Sequence, residues 1–234
     1  MRDLILELTL LATIFYSFLD RSFSQDLLFY FKTIRRSSLF TIWTLCLVCV
    51  FLVFDILRKG VDFFFHKKIQ QFDNLCRRLF TLSLTCSSTV TLGYWALFAY
   101  DCHFWMPKLF LGREIKFCLS KELIYHLIPF VVLCIIWTRN PIDVSYENIT
   151  HLILFGCSYV VVSNVNYFIT GYRAYSFMSS FNLLTLLPVF VALNAGLVAC
   201  FTLLRLIELR RPSSKISEKI RKKVEKVSSF VKNK

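Results

Sequence analysis

Six stretches of this chain read as helices built for lipid. They span roughly 3–19, 38–57, 79–100, 121–138, 149–170 and 180–207, and each is bounded by charge or by Pro and Gly. A bilayer core about 30 Å thick takes about 20 mostly apolar residues per helical crossing, and every backbone polar group must be satisfied inside it. The expected fold class is therefore an all-α membrane protein, a six-transmembrane-helix bundle. A hydrophobic share of 56% and a mean hydropathy of +0.57 set the chain apart from water-soluble folds of its size.

The first window carries Glu7 and has no small-residue cleavage site before the charged stretch RSFSQD, so an uncleaved anchor is expected. The longest polar segment is the tail from Arg210 to Lys234, too short and too charged to bury a core of its own. Residues 1–209 are read as one six-helix domain and 210–234 as a basic cytosolic tail.

The formal charge of +13 would suit nucleic acid if it were gathered on a soluble surface, but its distribution is that of a topology signal. With both termini in the cytosol, that side receives Arg2, the Lys/Arg of RKGVDFFFHKKIQQFDNLCRR, Arg139 and those of the tail, 18 in all, against 8 on the other side. The positive-inside rule favours this orientation, and no nucleic-acid partner is expected. In the tail, Ile216, Ile220, Val224, Val227 and Val231 recur near helical spacing among lysines, which suits either a helix lying on an anionic lipid surface or a solvated strand of charge.

Nine cysteines show no metal or redox pattern. Cys46 and Cys49 form a C-x-x-C inside a crossing and read as packing residues, whereas Cys102 and Cys118 share a non-cytosolic loop and could pair in an oxidising compartment. The sequon Asn148-Ile149-Thr150 falls on the predicted cytosolic side, where it would stay unmodified. No cofactor or metal is expected.

The chain has no G-x-S-x-G, no H-E-x-x-H, no phosphate-binding glycine loop and no internal repeat. Of four histidines, His66, His103 and His151 fall in loops or at a helix start, and only His126 is carried into a crossing. An ionisable residue there serves function or finds a polar partner. The second and fourth crossings both start from the non-cytosolic face, so Thr41 and His126 fall at similar shallow depth, about 5 Å and 7–8 Å along their helices. A hydroxyl beside an imidazole can be activated as a nucleophile. The competing reading is structural: membrane threonines commonly bond their own i−4 carbonyl, and Thr44 competes with Thr41 for the role.

The segments SLFTIWTLCLVCVFLVFDIL, WALFAYDCHFWMPKLF and YFITGYRAYSFM, in this order and spacing, resemble the androgen-induced gene 1 and androgen-dependent tissue-factor-pathway-inhibitor-regulating protein family. The resemblance runs roughly from Ser38 to Leu209. Its most specific pieces are Ala99-Tyr100-Asp101 followed by Pro107-Lys108, and Thr170-Gly171 followed by Tyr175.

The resemblance implies a multi-pass hydrolase of fatty acid esters of hydroxy fatty acids, with Thr41 as nucleophile, His126 as its base, and an endoplasmic reticulum or other endomembrane location. Membrane lipids and the ester itself are the expected partners. Tyr100, Asp101, Lys108, Gly171, Arg173 and Tyr175 are candidate substrate-binding positions. Arg173 and Lys108 each suit a fatty acid carboxylate or plain solvation, and Asp101 either orients a catalytic group or caps a helix. Thr44 and backbone groups near Gly171 are candidate oxyanion donors. The chain departs from the family pattern near the base: His126 precedes Pro129 by three residues where the family has five, and the family's Asn-His-x-x-His context is missing. A compensating deletion in the loop GREIKFCLSKEL would keep His126 in place. Two other classes remain: a non-catalytic membrane regulator or scaffold that retains the fold, and a small transporter or channel, for which Asp55, Asn164 and Asn166 are the relevant polar residues.

Overall fold

A computed structural model of the chain describes residues 2–19, 40–65, 69–100, 119–171 and 183–211. Within them the fold is helical throughout: α1 (Arg2–Leu19), α2 (Phe40–Phe65), α3 (Gln70–Tyr100), α4 (Leu119–His126), α5 (Ile128–Trp137), α6 (Glu147–Thr170) and α7 (Leu183–Arg210). No strand occurs among the described residues. The six apolar windows correspond to α1, α2, α3, the pair α4 and α5, α6 and α7. The correspondence is close except that α3 begins nine residues before its window, at Gln70, and α2 continues beyond Leu57 to Phe65. Among the described residues three helices are long and apolar enough to cross a membrane, Phe40–Phe65, Glu147–Ile169 and Leu186–Arg210, and Leu4–Tyr16 and Leu123–Trp137 form shorter apolar helices.

The fourth window is broken. α4 ends at His126, Leu127 makes a turn, and α5 restarts with Pro129 in its first turn. Proline has no N–H to give the carbonyl four residues earlier, and its ring crowds that carbonyl, so an interruption just upstream is its expected effect. The break is narrow, because the Leu127 N–H still reaches Leu123 O and the Val131 N–H reaches Leu127 O, both at 3.0 Å.

One end of the bundle is a belt of ion pairs. Lys59 near the end of α2 bonds Glu7 of α1 at 2.5 Å and Asp55 at 2.8 Å, and Arg58 bridges Asp55 at 2.7 Å to Asp73 of α3 at 3.2 Å. Arg78 of α3 bonds Glu147 at the start of α6, 2.7 Å away. At the same end Arg211 donates to the Trp137 and Thr138 carbonyls that close α5, where a cation meets the negative end of the helix dipole. Trp137 Nε1 donates to buried Glu208 at 2.6 Å, and Arg205 donates to Val144 O at 3.0 Å while lying over the Tyr146 ring. These contacts gather the starts of α1, α3 and α6 and the ends of α2, α5 and α7, so the helices alternate in direction and the first and last helices present their outer ends together.

α3 is the hub, packing against α2, α4, α5, α6 and α7. This explains how its polar centre is tolerated: Thr81, Ser83, Thr85, Ser87, Ser88 and Thr91 are all buried by neighbouring helices. Most of these hydroxyls return a bond to their own helix, as Ser and Thr do where water is absent: Thr81 to Arg77 O, Thr85 to Thr81 O, Ser88 to Thr85 O and Thr89 to Thr85 O. Thr81 also accepts from the Asp143 N–H at 2.8 Å and so pins the connection between α5 and α6. The sequon residue Asn148 is fully buried, its amide donating to Asp143 O and Ser145 O.

SLTCSSTVTLG, Gly156 and Gly196 supply the small residues around which membrane helices are expected to pack closely. Gly156 of α6 meets that expectation most closely, since a Cβ there would collide with the Asn194 side chain of α7. Gly196 makes an ordinary contact with Thr89, and Gly93 faces open space. Cys46 and Cys49 are both free; Cys49 is half-buried, but Cys46 is exposed and so is not packed inside the bundle. Cys102, Cys118 and the basic tail beyond Arg211 lie outside the described residues.

Candidate active site at the α4 break

His126 is fixed from α3. The Thr91 hydroxyl donates to the His126 carbonyl at 2.5 Å, satisfying a backbone group at the break. One turn further along α3, Tyr94 lies flat against the imidazole, with ring centroids 3.6 Å apart and planes 4° from parallel. Tyr94 is 8% exposed, so the stack lies inside the bundle. The break, the threonine and the tyrosine together set both the backbone and the ring plane of His126.

Thr41 lies one residue after Phe40 at the described start of α2 and is partly buried. Phe40 and Trp43 point toward α6: Phe40 meets Tyr159 edge-on at 5.0 Å, and Trp43 meets Phe155 at 5.7 Å. Thr44, Leu45 and Val48 are buried, and helical spacing puts Thr41 on the same stripe as these three.

Two contacts between α2 and α3 fix the relative heights of the residues. Ser83 Oγ donates to Leu47 O at 3.3 Å, and Phe51 lies on Phe80 with centroids 5.2 Å apart. In this antiparallel pair each residue back along α2 matches one forward along α3, which brings Thr41 level with about residue 90. His126 is bound at residue 91, so Thr41 and His126 stand within about 3 Å of the same height in the bundle. α2 and α4 also pack against each other directly.

The other candidates scatter. Tyr100 ends α3 about 9 Å beyond Tyr94 along the helix axis. It is 80% exposed, away from the histidine. Gly171 caps α6 at φ +73°, a left-handed position that glycine adopts without strain, and its N–H is taken by Tyr167 O at 2.7 Å. That bond removes the Gly171 N–H from the candidate oxyanion donors. Asp101, Lys108, Arg173 and Tyr175 lie outside the described residues, as do His66, His103 and the first part of the loop GREIKFCLSKEL. His151 is exposed on α6. Asp55 belongs to the ion-pair belt and Asn164 bonds Val160 O in its own helix. Among the described residues no cluster of His, Cys, Asp or Glu is arranged to hold a metal ion.

Sequence reasoning missed Thr91 and Tyr94. Their signal lay in SLTCSSTVTLG, where Ser83, Ser87 and Thr91 recur every fourth residue and Tyr94 follows after three more, one continuous face of a helix.

Taken together, an all-helical membrane protein encloses a polar seam on its central helix, and that seam grips a histidine at a proline-associated break. A match to the FAR-17a/AIG1-like protein family model over residues 5–208 places the chain in that family, to which it belongs. The match extends the resemblance seen from Ser38 onward back to the first helix. No curated protein and no solved structure matches the chain.

Proposed function

We propose that this protein is a membrane-embedded hydrolase of fatty acid esters of hydroxy fatty acids, with Thr41 as nucleophile and His126 as base. The observation that carries the reading is the matched height of Thr41 and His126 on adjoining helices, with the imidazole held by Thr91 and Tyr94. Membership of the FAR-17a/AIG1-like family agrees with it.

In this reading the ester dissolves in the bilayer with its acyl chains among the lipid-facing side chains. His126 accepts the Thr41 proton as Thr41 Oγ bonds to the ester carbonyl carbon. Collapse of the tetrahedral adduct expels the hydroxy fatty acid, which takes the proton from His126, and leaves the acyl group on Thr41. Water, deprotonated by the same imidazole, then releases the fatty acid and restores Thr41.

The reading places six crossings in an endomembrane, both termini cytosolic and the ion-pair belt toward the cytosol. The three-residue spacing from His126 to Pro129 fits it, because the break at Leu127 lets the orientation of His126 be set by Thr91 and Tyr94 instead of by helical phase from the proline. The test is hydrolysis of a fatty acid ester of a hydroxy fatty acid by membranes carrying wild type, Thr41→Ala or His126→Ala at matched protein levels. Activity in wild type alone is the expected result. An inert wild type would instead favour a non-catalytic relative that keeps the fold.

A further inference from the structure

Two hydroxyls in the seam break the pattern of their neighbours. Thr44 of α2 is 2% exposed and Ser87 of α3 is 3% exposed, yet neither side-chain oxygen has a hydrogen-bond partner among the described residues. Thr81, Thr85, Ser88 and Thr89 around them all return a bond to their own helix. An unmet donor is costly in a dry interior, and the ordinary remedy is a bond to the i−4 carbonyl.

Their position connects them to the histidine. Ser87 follows Ser83, whose hydroxyl touches α2, by one turn on the same face of α3, and it precedes Thr91 by one turn. The antiparallel register brings Thr44 level with about residue 87, so both unmet hydroxyls sit at one height, one turn deeper than Thr41 and His126. Residues three or four apart on a helix have Cβ atoms about 5–6 Å apart. A carbonyl group spans that gap when its carbon meets the upper hydroxyl and its oxygen lies about 2.7–3.1 Å from a donor below.

We propose that the Thr44 and Ser87 hydroxyls are the oxyanion donors of this site, donating to the carbonyl oxygen of the bound ester one turn below Thr41. The inference rests on the hydrolase reading above. As Thr41 Oγ bonds to the carbonyl carbon, the C=O electron pair moves onto the oxygen, and the two O–H groups donate to the resulting alkoxide until the pair returns and the leaving alkoxide departs with the His126 proton. Both donors are already free of competing bonds, so nothing in the seam must be broken when charge develops. The ester class implied is one whose carbonyl enters oxygen-first toward the bilayer centre, with the nucleophile on the shallower side.

Hydrolysis and thermal unfolding are measured together for wild type, Thr41→Ala, Ser87→Ala, Thr44→Val and Thr44→Ser, using purified full-length protein in detergent micelles. A structural serine or threonine loses stability with its hydroxyl, whereas removing an unmet buried hydroxyl leaves the melting temperature unchanged or raises it. The inference expects Ser87→Ala and Thr44→Val to lose about 10²-fold in kcat each, with KM little changed and no loss of melting temperature, and Thr44→Ser to retain most activity. Wild-type activity that depends on Thr41 but survives in Ser87→Ala and Thr44→Val overturns the oxyanion assignment and leaves the hydrolase reading standing. Loss of kcat only in parallel with loss of melting temperature also overturns it. An inert wild type, or a fully active Thr41→Ala, overturns both.

Discussion

Replacing Lys59 with Met takes the hydrogen-bond partner from a buried carboxyl, and the size of the effect follows from who else serves that group. Glu7 is fully buried, one of its oxygens is bonded to Lys59 Nζ at 2.5 Å, and the other has no partner among the described residues. Asp55, the second acid on Lys59, keeps Arg58 at 2.7 Å and is not left alone. Removing one partner of a buried pair costs about 3–5 kcal/mol. The Lys59 side chain is 26% exposed, so some water reaches the pair and the lower end, about 3 kcal/mol, is the better figure. At about 2–4 °C per kcal/mol for a chain of this length, Lys59→Met should melt about 6–12 °C below wild type. Adding Glu7→Gln replaces the orphaned carboxyl with a neutral amide and should recover part of the loss, and Glu7→Leu with Lys59→Met should match or exceed wild type. Circular dichroism melts in detergent micelles measure all four proteins. A Lys59→Met melt within about 2 °C of wild type, or a double variant no better than the single, would refute the claim that this pair joins α1 to α2.

Thr91→Val keeps the shape of the side chain but removes the donor to the His126 carbonyl, so hydrolysis should fall about tenfold for a hydrogen bond worth about 1–1.5 kcal/mol; kinetics beside Thr89→Val, whose hydroxyl bonds its own helix, isolate the effect. Gly156→Val should destabilise by about 1–3 kcal/mol through collision with Asn194, and Asn194→Gly in the same chain should restore much of it; independent costs that simply add would exclude the proposed close crossing of α6 and α7. Endoglycosidase treatment should leave the gel mobility unchanged at Asn148, which is fully buried and bonded to the connection before α6, and a shift abolished by Asn148→Gln would contradict that burial.

Much of the helical layout is written in local pattern. The windows ending at Leu19, Thr170 and Ile207 match α1, α6 and α7 to within a few residues, because an unsatisfied backbone in lipid is so costly that apolar length alone dictates a helix. Where pattern was weak, the boundaries slipped. Gln70 to Arg78 is polar and carries no apolar signal for a crossing, but Asp73 and Arg78 find ion-pair partners on α2 and α6 that hold this turn of α3 in place. The roles of Thr91 and Tyr94 were hidden for a related reason: a threonine that bonds its own helix and one that reaches across to His126 look alike in sequence.

Hydropathy, the distribution of charge and the family motifs determined by themselves that this chain is a helical membrane protein with a histidine in its fourth apolar stretch. They also picked out Thr41 as that histidine's potential partner, because depth along a helix follows from counting residues. Only the tertiary structure decided which neighbours fix the imidazole, which hydroxyls are spent on their own helix and which, at Thr44 and Ser87, find no partner among the described residues. The physical reason is that height within a crossing is a property of one helix, set by a rise of about 1.5 Å per residue, whereas hydrogen-bond partners in a dry interior depend on how helices are rotated against one another.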